Sequence, residues 1–366
     1  MEISQKQSEF LNYIKGSAIF LMLWGHTVQF CMTDSELDFF ENSLFRFIYS
    51  FHMPLFMLVS GFLFFYSFQK RNLTNLLVHR SCTLLPPMIF CSIFNYFISD
   101  GLFAAAKFGF GGLLGGLANA RSFWYLEAVL ICSFYVGTVC KKIQHPAAQL
   151  LLLCALMPTL LVFSHYSNVT FMYPYFVIGF FFACYYKRFG KKTVFWGCLA
   201  ATAAFFLMIP FYHKEHFIDI TGIIGLILTD KKLVFKQLQI NAFRWLIGLC
   251  GSVFAIAVSY KIFSAGYGNV NRVLKGIGNR IMEIGRKSIQ YYCLSVAVLS
   301  LWLPRIIHYI VLPFWNNRNL LVAHIWLFNF VITPVIALFY CGVIGIEIKI
   351  LELLKLDRLL FPKLRS

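Results

Sequence analysis

Asn12-Tyr-Ile-Lys-Gly-Ser-Ala-Ile-Phe-Leu-Met-Leu-Trp-Gly-His26 is an apolar run that would pass for a membrane-spanning helix but for two ionisable side chains, Lys15 and His26. Charges and imidazoles are costly in hydrocarbon, so their presence in a span points to a working site rather than to packing. Eleven positions separate them, which on an α-helix is about 16 Å of rise and close to three full turns. They therefore share one face at different depths. Across a hydrocarbon core of about 30 Å, Lys15 sits near one surface and His26 lies beyond the midplane.

The surrounding chain fits a membrane setting. Of its 366 residues 59% are hydrophobic and only 13% charged, too few charges to solvate a globular surface. The net charge of +17 does not mark a nucleic-acid binder, because the Lys and Arg fall in short clusters between apolar runs. The expected fold is all-α: a polytopic integral membrane protein forming a single domain over 1–366. Spans are expected near 14–31, 47–68, 82–99, 123–140, 147–164, 169–186, 193–212, 244–263, 288–310 and 320–346. With the N-terminus inside, 21 Lys and Arg fall on the inner side against 10 outside, so both termini are expected in the cytoplasm. The acidic 34–41 loop agrees with that orientation. The first apolar segment lacks a small-residue cleavage site and is expected to stay as the first helix.

Between the spans, Gly109–Gly116 reads as a mobile surface loop and Ile220–Thr229 as an interfacial or re-entrant segment too short to cross. The basic stretch 261–287 reads as a cytoplasmic connection. The eleven Cys are scattered without CxxC or Cys/His spacing, so neither a metal site nor a disulfide framework is expected.

Chemistry is expected where polar residues enter the spans. His52 lies about as far from the outer end of the second span as His26 does from that of the first, so antiparallel neighbours bring the imidazoles to similar depth. A neutral His has a pKa near the working pH and suits proton abstraction from a hydroxyl. The basic residues at the inner ends, Lys15, Arg80, Lys70 and Arg71, suit a polyanionic molecule made in the cytoplasm, although loop Lys and Arg also serve merely to fix topology. Glu127 near the outer face could orient an imidazole or bind a hydroxyl. Trp124 and Tyr175 fall where either sugar stacking or an interfacial aromatic belt would place them.

The string FHMPLFMLVSGFLF at 51–64, with Lys15-Gly-Ser-Ala-Ile and Gly25-His26, resembles the membrane acyltransferase-3 family. Further matches are Phe123-Trp-Tyr-Leu126, Tyr173-Pro-Tyr-Phe-Val-Ile-Gly179 and Ile284-Gly-Arg-Lys-Ser-Ile-Gln-Tyr-Tyr292. The resemblance implies about ten transmembrane helices and acyl transfer, commonly from acetyl-CoA to extracytoplasmic sugars, with His26 as the catalytic imidazole. Three positions depart from the family pattern. Lys15 stands where Arg is commoner, Arg80-Ser-Cys-Thr83 where RxxR is expected, and Ser295 where a His is frequent.

These readings converge on an O-acyltransferase of the cell (inner or plasma) membrane, moving acetyl from cytoplasmic acetyl-CoA to a hydroxyl of a surface polysaccharide or its lipid-linked precursor. His26 and Glu127 are the catalytic candidates. Lys15, Arg80, Lys70 and Arg71 would hold the acyl-CoA donor, and His52, Trp124 and Tyr175 the glycan acceptor. Acetyl-CoA enters as a substrate, with no permanently bound cofactor. The competing class is a transporter or lipid-linked sugar flippase, since Pro54, Pro158, Pro174 and Pro334 could break helices around a central path.

Overall fold

In a membrane every backbone N–H and C=O needs an internal partner, and a sequence of long apolar runs meets that demand as helices. The computed structural model describes residues 4–33, 38–99, 123–160, 168–217, 231–268, 272–301 and 323–362, and among them there is no strand. The helices are α1 Gln5–Thr33, α2 Ser43–Lys70, α3 Leu73–Ser99, α4 Trp124–Lys142, α5 Pro146–Leu156, α6 Val169–Tyr185 and α7 Lys191–Met208, followed by α8 Lys231–Gly268, α9 Arg272–Arg286, α10 Ser288–Leu301 and α11 Thr333–Leu353. A short π-helical segment, Phe328–Ile332, leads into α11.

Six helical stretches among the described residues are long and apolar enough to cross a bilayer: Ser43–Lys70, Leu73–Phe94, Val169–Arg188, Lys191–Phe211, Phe235–Gly266 and Ile325–Leu353. Each overlaps an expected span. The first helix has the length, 29 residues, but its Lys15, His26 and Gln29 dilute its hydropathy. Those are the residues that make it interesting. The fifth expected span, 147–164, appears as the eleven-residue α5 followed by a short 3₁₀ segment to Leu160. Ile220–Thr229 and Gly109–Gly116 lie outside the described residues.

Two stretches fold differently from the sequence reading. The eighth span, expected from 244, starts at Lys231. The basic connection contains a helix of its own, α9, whose Lys275, Arg280 and Arg286 are exposed while Gly285 is buried. Its glycines lowered the helical signal, and packing on α1 supplies what propensity does not.

That packing depends on close approach. A Cβ on Gly285 would run into the Asn12 carbonyl, and one on Gly16 into the Ile281 carbonyl. Helices α2 and α6 meet in the same way, with Gly61 against the Phe176 backbone and Gly179 against that of Leu58. Small residues of this kind let backbones touch where lipid offers no hydrophobic drive for association. Gly61 and Gly179 lie in the family-like strings, so their presence there has a steric reason.

Near the His26 end of α1 a buried polar knot joins three helices. Asn42 caps α2, its Oδ1 accepting from the amides of Leu44 (2.9 Å) and Phe45 (3.1 Å). Its Nδ2 donates to Asn329 Oδ1 at 2.8 Å. Trp24 Nε1 on α1 donates to the Asn329 carbonyl (3.2 Å) and to Thr333 Oγ1 (2.9 Å). Asn42→Ala removes the cap and strands a buried amide oxygen, so it should destabilise the fold by about 2–3 kcal/mol. Thermal unfolding in detergent should rank wild type above Asn42→Asp, which keeps the cap, and Asn42→Asp above Asn42→Ala.

Candidate functional site

Helices α1, α2, α4, α6, α8 and α10 enclose a cavity of about 560 Å³ on the side of the His26 end of α1. His26 and Gln29 line it from α1, Tyr49, His52 and Met53 from α2, and Tyr292 and Ser295 from α10. Trp124 and Arg244 complete its polar and aromatic wall. Phe39, Phe40, Tyr212 and Phe217 form an aromatic wall. Lys214 pairs with Asp38 beside them and lies over the Phe40 ring. That pairing holds the Asp38 carboxyl below its ordinary range, chiefly through its hydrogen bond from Lys214.

Within the cavity hydrogen bonds reach Nδ1 of both imidazoles. His26 Nδ1 is 2.9 Å from the Tyr49 hydroxyl and 3.3 Å from Gln29 Oε1, and Tyr49 donates to the same Oε1 at 3.2 Å. An amide oxygen only accepts, so with the proton on Nδ1 that atom donates to Gln29 and Nε2 keeps its lone pair. His52 follows the same logic, since its Nδ1–H donates to the Ile48 carbonyl at 3.0 Å. His52 therefore has Nε2 as its basic atom, as has His26 in the tautomer that carries its proton on Nδ1. The Tyr49 ring stands edge-on between them, with centroids 5.8 Å from His26 and 4.6 Å from His52. Gly25 makes this possible, because a Cβ there would come within 2.6 Å of Tyr49 Cε2.

A second, smaller cavity of about 140 Å³ lies toward the Lys15 end, lined by Lys15, Ser60, Arg80, Tyr125 and Ser288 among others. No acidic residue lines it among the described residues. Arg80 stacks over Phe64, 5.0 Å from the ring centroid, and its buried Nε has no hydrogen-bond partner among the described residues. Ser60 Oγ and the Tyr125 hydroxyl are 2.8 Å apart. Lys15 and Arg80, both half-buried, thus line one small hollow together.

The structure thus brings together His26, His52 and Trp124 at one cavity and Lys15 and Arg80 at the other. The remaining sequence candidates sit elsewhere. Lys70 is exposed at the end of α2, and Arg71 donates to Ser67 Oγ at 3.0 Å. Glu127 is half-buried and lines neither cavity. Tyr175 is buried, its hydroxyl donating to the carbonyls of Arg244 (3.0 Å) and Trp245 (3.2 Å), so it braces α8.

The two departures near the spans also find places. Ser295 lines the larger cavity, with its Oγ donating to the Tyr292 carbonyl, and Thr83 donates back to the His79 carbonyl within α3. Sequence reasoning missed Gln29, Tyr49, Met53, Arg244 and Tyr292. Gln29 and Tyr49 were within reach of the i, i+3 rule, since each lies three residues from a candidate His on the same helix.

A family model described as an acyltransferase domain, that of acyltransferase-3, matches residues 8–346. Among curated proteins, the chain is 31% identical over 182 residues to nodulation protein NolL of Sinorhizobium fredii, an alignment covering 47% of this chain and 48% of that protein. It is 26% identical over 175 residues to nodulation protein NolL of Mesorhizobium japonicum, with 47% of each chain covered. The alignments span about half the length of these curated relatives. No solved structure matches the chain. The match over nearly the whole length, on a helical membrane scaffold, means that this chain belongs to the acyltransferase-3 family of membrane acyltransferases.

Proposed function

We propose that the protein takes an acetyl group from cytoplasmic acetyl-CoA and places it on a hydroxyl of a surface polysaccharide or its lipid-linked precursor, in the cell's inner or plasma membrane with both termini inside and about ten spans. The observation that carries this reading is the pair of cavities on one helix, a cationic one beside Lys15 and a larger one beside His26.

The division matches the chemistry. Acetyl-CoA is polyanionic, and Lys15 and Arg80 at the inner cavity supply charge for it. A sugar alcohol is uncharged and stacks on aromatic rings, and the outer cavity supplies Trp124 and Phe171 with ample volume for it. His26 Nε2 accepts the hydroxyl proton as the oxygen attacks the thioester carbonyl. The new C–O bond forms, the C–S bond breaks with its electron pair on sulfur, and the proton passes from His26 to the thiolate. Tyr49 and Gln29 keep the His26 proton on Nδ1 so that Nε2 stays basic. His52 Nε2 is placed to accept from a second hydroxyl of the acceptor.

His26→Ala should remove base-labile acetyl esters from the host's surface glycan, a fall of about 10²–10⁴-fold, with expression and membrane insertion unchanged. Mass spectrometry of the glycan before and after saponification reads this, and retained ester at wild-type level would exclude the role. A separate arm concerns the donor. Lys15→Ala and Arg80→Ala should raise the apparent KM for acetyl-CoA by about tenfold or more while lowering kcat less, and Lys15→Arg should behave like wild type. Equal KM values in all three variants would place the donor elsewhere.

A further inference from the structure

The two cavities share two lining residues, Met53 of α2 and Tyr292 of α10. Each is nearly buried, at 7% and 8% exposure, so together they form the divide between the donor and acceptor sides. On the reading above, the thioester carbonyl carbon lies at this divide, its sulfur reached from the cationic side and the attacking oxygen from the other, so the rest of the acyl chain must find room there. Whatever the divide admits, the enzyme can transfer.

The two leaves differ in stiffness. The Tyr292 ring stands edge-on to Tyr125 at 5.4 Å and to Phe123 at 6.2 Å, and Tyr125 is itself tied to Ser60. It is held on several sides. Met53 has three rotatable bonds and a soft thioether, which suits a side chain that must yield to a small group. It also directly precedes Pro54, whose missing N–H leaves α2 without one backbone bond to the Ser50 carbonyl. The movable leaf sits where the helix is locally weakest.

We propose that Met53 is the specificity residue for acyl length: its side chain fills the space that a chain longer than acetyl would need between the cavities. The inference rests on the acyl-transfer reading and adds the dimension of the donor. Nothing in the bond exchange changes, since any acyl-CoA would break C–S and make C–O in the same way. Only the room beyond the carbonyl carbon differs.

The test supplies membranes holding the full-length protein and its native acceptor with equimolar acetyl-CoA and butyryl-CoA, and measures the acids released from the glycan by mild base. Wild type should give acetate over butyrate. Met53→Ala should raise the butyrate-to-acetate ratio at least tenfold, and Met53→Leu, similar in volume, should leave it near the wild-type value. Met57→Ala removes a neighbouring buried thioether that lines neither cavity and controls for a general loosening of α2. A ratio unchanged by Met53→Ala, with ester still formed, overturns the proposal while leaving acyl transfer standing, as does an equal rise in Met57→Ala. Absence of any ester in wild type overturns both readings together.

Discussion

The contact on which this architecture depends is between backbones, where Gly61 of α2 lies against the carbonyl of Phe176 and Gly179 of α6 against that of Leu58. Inside a bilayer, apolar side chains gain nothing by leaving lipid for protein, so helices associate through close packing and polar contacts. Two glycines facing two carbonyls bring α2 and α6 as near as helices come. The opposite side of α2 is then turned toward α1, and it carries Tyr49, His52 and Met53. Because α2 is buried along most of its length, it works as the axial post of the molecule and sets where the cavity side chains begin, while the Met53 side chain keeps its own freedom. Adding a methyl group at Gly61 would displace the helix itself, and with it every residue that α2 presents.

A rigid post lets the protein keep polar groups where lipid would expel them. Lys15, His26 and Gln29 on α1 each face a cavity or a neighbouring side chain, and the hydrogen bonds from Tyr49 to Gln29 and between Tyr49 and His26 are made across the α1–α2 contact. Moving α1 away by the width of a methyl group would break them. The exclusion of a side chain at Gly25 is what keeps the Tyr49 ring close enough to hold His26. At the Lys15 end, Gly16 and Gly285 hold α9 on α1. Glycine contacts thus flank both ionisable residues of the first helix.

Much of this was legible in the residues, and the limits are physical. Apolar runs fixed the positions of the spanning helices because backbone satisfaction in lipid leaves few alternatives. Lys15 and His26 stood out because a charge in a span needs a cause, and the near-whole number of turns between them put them on one face. The sequence could not show that Arg80 turns inward beside Lys15 while Lys70 and Arg71 stay at the surface, since all three occupy the same short basic region. Only the packing of α3 against α2 and α4 separates them. Tyr175 misled for a related reason: its position at an expected interface says nothing about a hydroxyl committed to the carbonyls of α8. Helix α9 was hidden by its glycines, which lower local propensity but permit its contact with α1. Met53 gave no signal at all, because an apolar residue in an apolar helix acquires meaning only from what lies on either side of it.

That the two cavities are divided follows from the medium. An open path across a bilayer would conduct ions, so on the proposed reading, with one substrate from each compartment, the protein must seal whatever it does not transfer. On the proposed reading both demands are met when only the thioester end of the donor reaches the divide, its polyanionic part staying in the cationic cavity and the sugar in the aromatic one. The barrier need then admit a group no larger than the one exchanged. An apolar thioether beside a ring held by its neighbours is suited to this, being closed to water and ions yet soft enough to give way to a small carbonyl compound. In such a design the seal and the substrate preference are the same few atoms, so loosening one loosens the other.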